Sequence, residues 1–271
     1  MQKLVSKICF QCIVGEIFFT RLNFKWYTCT LYNLKLRILV CCVQHKGDRE
    51  MKRSEINKII RGAERFMARR QFLLPPWASW TKNDWVKNKD SINEIVSAGL
   101  GWDITDFGSG EFLKQGLVLV TIRNGGENLY GKPYAEKIMV VQEKQEIPLH
   151  FHWNKMEDII NRGGGNLCFQ LYGSTADEEL STDPVKIQVD GIEKTIPAGG
   201  MITLSPGESL TLMPGIYHRF YAEEGKGPVL TGEVSMVNDD AADNRFYEAP
   251  GRFPEIEEDE PPYRYLTMDY T

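Results

Sequence analysis

From residue 51 onward the apolar positions of the chain follow two rhythms, and the change between them falls near Gly101. Ile56, Ile59, Ile60, Ala63, Phe66 and Met67 recur at three- and four-residue intervals, which is one face of a helix. Ser54 is placed to cap that helix, and Pro75-Pro76 stops it. Thr81 with Asp84 has the spacing of a capping box and opens a second helix through about Ala98, ended by Gly99 and Gly101. After Gly101 the chain breaks into short strand-like runs: 116–123, 136–141, 167–172, 185–189, 201–204, 209–213, 218–222 and 229–237. Gly163-Gly164-Gly165, Asp190-Gly191, Pro206-Gly207, Pro214-Gly215 and the 225–228 segment punctuate them. Strands in such number without helices between them predict a sandwich or a jelly-roll barrel.

Composition excludes some partners. The net charge of −5 offers no basic surface for nucleic acid. No stretch approaches the roughly 18 consecutive apolar residues of a membrane span. The first fifty residues differ from the rest: they hold eight Lys and Arg against three Asp and Glu, and five of the six cysteines. Cys9 and Cys12 form a CxxC, but Cys41 and Cys42 are adjacent, which is poor spacing for zinc. Glu16, Arg21 and Lys25 interrupt the apolar runs, against a signal peptide. Lys46-Gly47-Asp48 can be encoded by a bacterial ribosome-binding sequence just upstream of Met51. We therefore expect 1–50 to be a misannotated or disordered extension, 51–100 a helical segment packed on the barrel, and 101–271 the β domain.

Three of the four histidines fall into one pattern. His150 and His152 alternate along a strand and so share a face. Glu157 can return across a turn to that face, and His218 sits on a later strand just past Pro214-Gly215. Three imidazoles and a carboxylate suit a divalent metal such as manganese, iron, cobalt, nickel or zinc. A single histidine is more often a surface or satisfied core residue, but this grouping is not. His45 lies outside it.

The spacing HxH(x)4E, here His150 to Glu157, followed by G(x)10H, here Gly207 to His218, resembles the two cupin motifs. Lys144, Pro214 and Ala222 depart from the usual residues, at turns rather than at ligands. A narrower resemblance covers Met51 to Thr271: LGWDITDFG (100–108), YAEK (134–137), HFHWNKMEDIINRGGG (150–165) and RYLTMDY (264–270) are similar to the D-lyxose ketol-isomerase family. The resemblance implies a cupin-type jelly-roll β-barrel with N-terminal helices. It also implies a Mn2+-dependent aldose–ketose isomerase acting on D-lyxose and D-xylulose, and on D-mannose and D-fructose. A cytoplasmic homodimer with a sugar as its small-molecule partner goes with it.

Such chemistry moves hydrogen between C1 and C2 while charge develops on the adjoining oxygens, which a divalent cation stabilises. An enediol route needs a general base, whereas a hydride shift needs mainly the metal, and the residues leave both open. Glu233, on a strand able to face the interior, is the candidate base. Lys137, thirteen residues before His150 as in the family, and Lys155 are candidates for catalysis and for binding sugar hydroxyls. Asp243 and Arg252 are further substrate-binding candidates. Trp102, Trp153, Phe220 and Tyr247 could stack on a sugar, although aromatic residues more often build core. Two other readings use the same pattern: another metal-dependent cupin enzyme such as an iron dioxygenase, and a non-catalytic sugar-binding cupin.

Overall fold

The computed structural model describes residues 51–126, 131–237, 242–248 and 255–270 in full, and the backbone of 13–19, 22–31 and 34–40. His45 and Arg252 lie outside the described residues. The chain divides into two units, Met1–Gly47 and Asp48–Thr271. In the first, β1 (Ile13–Phe19), β2 (Leu22–Leu31) and β3 (Leu34–Val40) pair as an antiparallel meander.

The second unit opens with β4 (Met51–Lys52) and α1 (Arg53–Arg69). Ile56, Ile60, Ala63, Phe66 and Met67 are buried along one stripe of α1, as their spacing predicts. Its start differs from expectation: Lys52 is the cap residue and makes no side-chain cap. Ser54 instead gives its N–H and hydroxyl to Asp259, because the C-terminal tail runs along this end of the helix. Arg53, 1% exposed, donates to Glu258 and Asp269, and Asn57 donates to Glu260 and to the Pro261 carbonyl. The Thr81–Asp84 capping box is formed, but the helix it opens, α2 (Lys82–Asn88), is separate from α3 (Asn93–Ser97).

The strands that follow are β5 (Gly101–Thr105), β6 (Leu117–Arg123), β7 (Tyr134–Val141), β8 (Ile147–His152), β9 (Glu157–Gly164), β10 (Leu167–Gly173) and β11 (Val185–Val189). After them come β12 (Ile192–Ile196), β13 (Met201–Leu204), β14 (Ser209–Leu212), β15 (Ile216–Ala222), β16 (Val229–Met236), β17 (Asn244–Phe246) and β18 (Ile256–Glu257). They form a large sheet in the order β12-β11-β14-β9-β16-β7-β6-β5 and a small one in the order β13-β10-β15-β8-β17, while β18 pairs parallel with β4.

Period-two alternation builds two cores. Leu117, Leu119, Met139, Val141 and Val229 of the large sheet pack with Leu167, Phe169, Leu171 and Phe220 of the small one. Val118, Val120, Ile138, Val140 and Leu230 point the other way and meet α1 and Trp102. The expected mainly-β architecture with N-terminal helices is the one observed, as two antiparallel sheets that share a core. Gly163 and Gly164 do not form the turn their sequence predicts; they are the end of β9, where its pairing with β16 shifts register between Leu230 and Thr231. Gly164, with φ of 115°, faces the Pro228 carbonyl where a Cβ would collide, so glycine is required there. Among the described residues no helix is long and apolar enough to cross a membrane.

Candidate active site

His150, His152 and His218 come from neighbouring strands of the small sheet, with His218 directly opposite His150 in the β15–β8 ladder. One ring nitrogen from each lies within 4.8 Å of the others, and all three side chains are buried. The opposite nitrogens are anchored by main chain. Nδ1 of His150 lies 2.7 Å from the Pro148 carbonyl, that of His152 3.0 Å from Asp243 O, and that of His218 3.0 Å from Ile216 O. A carbonyl only accepts, so each Nδ1 carries the hydrogen and each Nε2 presents its lone pair inward. The Nε2 of His218 is buried without a hydrogen-bond partner. A buried polar nitrogen left this way is costly unless something else fills the place. A divalent cation among the three imidazoles fits.

Glu157 opens β9 on the facing sheet. Its Oε1 lies 3.3 Å from Nε2 of both His152 and His218, and its Oε2 lies 2.8 Å from Lys155 Nζ. The same ammonium donates to Glu233 Oε1 at 2.9 Å, and Lys137 Nζ stands 3.8 Å from that oxygen. Strand register explains the grouping. Glu233 of β16 is paired with Lys137 of β7, and Ser235 with Glu157 of β9, so all three side chains leave the inner face of adjacent strands. Burial alone would raise the Glu157 carboxyl; the Lys155 ammonium instead holds it well below its ordinary range. Burial, then the neighbouring His218 and His152, pushes His150 well below the usual histidine value. A neutral imidazole and an ionised carboxylate are the forms that ligate metal.

These groups line one end of a cavity of about 520 Å³ whose remaining walls are largely apolar, including Leu117, Leu119, Met139, Ile147 and Phe220. Of the aromatic candidates only Phe220 lines it. Trp102 is 1% exposed and donates to the Ala78 carbonyl, and Trp153 and Tyr247 lie on the outer side of the small sheet. Asp243 is also absent from the lining. Its carboxylate accepts the N–H groups of Asn154 and Lys155 and the Asn154 side chain, while its carbonyl anchors His152. The structure thus gives Asp243 the work of setting the 153–156 turn. Asp103, Thr105, Phe107, Asn244, Arg245 and Phe246 also line the cavity, beyond the residues the motifs mark. For Asp103 and Thr105 a signal existed in the alternation of Trp102-Asp103-Ile104-Thr105. For the 244–246 segment no pattern marks so short a strand.

Residues 51–270 match the family described as D-lyxose isomerase. The D-lyxose/D-mannose isomerase of Serratia proteamaculans is 47% identical over 223 residues, 81% of this chain and 98% of that protein. That of Escherichia coli O157:H7 is 45% identical with the same coverage. Among crystal structures, L-ribose isomerase of Cellulomonas parahominis with L-ribose aligns with a TM-score of 0.52 and 15% identity over 78% of this chain and 100% of that one. L-ribose isomerase of Geodermatophilus obscurus gives 0.51 and 14% over 77% and 99%. At such low identity these two likenesses concern the fold alone.

Proposed function

Because the chain belongs to the D-lyxose isomerase family and is an aldose–ketose isomerase, we propose that it converts D-lyxose to D-xylulose and D-mannose to D-fructose at a manganese ion held by His150, His152, Glu157 and His218. The observation that carries this reading is the convergence of three inward imidazole nitrogens and Glu157 beside the buried Lys155–Glu233 pair. Bound there, the ion would act as a Lewis acid toward the sugar oxygens at C1 and C2.

The chain's own residues handle the proton. Glu233 takes the hydrogen from C2 as a proton, and the C2–H electrons form the C1–C2 double bond of an enediol as the carbonyl oxygen at C1 gains a proton. The proton lost from O2 balances the one gained at O1, and return of a proton from Glu233 to C1 gives the ketose. Lys155 and Lys137, both held on Glu233, are within reach of the same region and donate hydrogen bonds to the oxygens as charge builds. The apolar walls exclude water, which keeps those interactions strong. Asp243 and Arg252 remain proposed sugar contacts.

The test is ketose formation from D-lyxose and D-mannose by protein stripped with a chelator, before and after Mn2+ is restored. Activity that returns with the ion is expected. Failure to make ketose from either sugar in the presence of Mn2+ would overturn the reading. A homodimer in the cytoplasm completes it, and sedimentation and cell fractionation check those two points.

A further inference from the structure

The segment 100–108 opens the β domain, and its alternation has a purpose the metal centre does not use. Trp102 and Ile104 of β5 point into the core beneath α1. Asp103, Thr105 and Phe107 point into the cavity. Beyond the charged cluster, the cavity's polar lining among the described residues is Asp103, Thr105, Asn244 and Arg245. Thr105 Oγ1 already accepts the Phe107 N–H at 2.8 Å, and Arg245 donates to Glu178 and to the Phe246 carbonyl. Asp103 is the cavity's third carboxylate, after Glu157 and Glu233, and its Oδ1 is fixed by the Ile104 N–H at 2.8 Å.

Its place along the sheet matters. Asp103 pairs with Leu119 of β6, and Leu119 with Met139 of β7, two residues beyond Lys137 on the same face. Strands are about 4.8 Å apart, so β5 stands roughly 10 Å across the sheet from the strand of Lys137. Between them the wall is Leu119 and Met139, which offer hydroxyls nothing. An extended hexose, with bonds of about 1.5 Å in a zigzag, places its terminal oxygen roughly 9 Å from O1, and a pentose falls about 1.3 Å short.

Resting on the isomerase reading, we propose that Asp103 is the residue that accepts the terminal hydroxyl of the sugar, and that it sets the balance between six-carbon and five-carbon substrates. An ionised carboxylate is acceptor-only, so it takes a sugar hydroxyl as donor. The sixth carbon brings that hydroxyl into direct contact, whereas a pentose reaches it less well. The alternative is that an acid on β5, the edge of the large sheet, serves only to discourage edge pairing.

Steady-state kinetics of the manganese-loaded full chain on D-lyxose and D-mannose, with metal content measured alongside, separate the two. Asp103→Ala removes a hydrogen bond to a charged group, so kcat/KM for D-mannose is expected to fall about ten- to a hundredfold, mainly through KM. The loss on D-lyxose is expected to be smaller, about threefold or less, by the same reasoning on a weaker bond. Asp103→Glu keeps the charge and advances it by one bond, so it is expected to favour D-lyxose over D-mannose further. A strand-edge role would leave the sugar ratio unmoved in both variants. Equal losses on both sugars, or none, with metal content unchanged overturn the proposal and leave the isomerase reading standing. A wild-type chain inactive on both sugars overturns the two together.

Discussion

The two walls of the cavity are held in different ways. On the small sheet each histidine is oriented by a backbone carbonyl, two of them on the histidine's own strand, so the ligand geometry depends on main chain. On the large sheet the charged groups hold one another, with Lys155 joining Glu157 to Glu233 and Lys137 standing behind. The first wall is set before any ion or sugar arrives. The second is a mutual arrangement in which the loss of one member strands its partners in a buried place.

The largest effect comes from breaking the histidine wall. His150→Ala, His152→Ala or His218→Ala is expected to lose bound divalent metal and activity together. The Lewis-acid contribution is several kcal/mol, so the rate falls by more than about 10³. Elemental analysis beside turnover checks it, and near-stoichiometric metal in all three variants would sink the ligand assignment.

The next largest comes from the opposite wall. Glu233→Gln keeps shape and hydrogen bonding but cannot accept a proton, and is expected to lose about 10²–10⁴ in turnover with metal content unchanged. Run in heavy water, the wild-type reaction is expected to place solvent deuterium at C1 of the ketose. Its absence there, together with retained turnover in Glu233→Gln, would point to hydride transfer and demote Glu233.

How much of this was legible beforehand divides along the same line. His150 and His152 could be read because alternation along a strand is a local rule, Glu157 and His218 because of their spacing from it, and the structure brings the four together. The pairing of Lys155 with Glu233 spans 78 residues and depends on register between β16 and β9, which nothing in the local sequence states. That the Asp243 carboxylate accepts the 154 and 155 N–H groups is hidden for a similar reason, since it spans almost ninety residues. Ser54 lost its capping role to a tail more than two hundred residues away.

A smaller effect sharpens the comparison through pH. His150 is held neutral in the folded, metal-stripped protein, so below its ordinary value of 6.5 the unfolded chain binds the extra proton and stability falls. Glu157 is depressed below 4.5, so its contribution is present above that value and lost as pH falls through its lower folded one. Both act in one direction. Denaturation midpoints of stripped protein are expected to be flat above about pH 7 and to decline progressively below 6.5. A midpoint that rises on acidification would contradict the electrostatics of both walls.

The smallest expected effect lies outside both. We propose that residues 1–50 are not needed for the domain. A chain beginning at Met51 is expected to melt and turn over like the full one, within about twofold in rate, well under the threshold of a lost hydrogen bond. A loss of cooperative unfolding would assign those residues to the domain.

The buried guanidinium of Arg53 has a consequence during synthesis. A ribosome delivers Arg53 early and its acidic partners, Glu258 and Asp269, almost last. Until they emerge, seating α1 would bury an unpaired cation, at a cost of about 3–5 kcal/mol. A chain ended before residue 258 is therefore expected to hold α1 less firmly than the full chain, and a lower denaturation midpoint checks it.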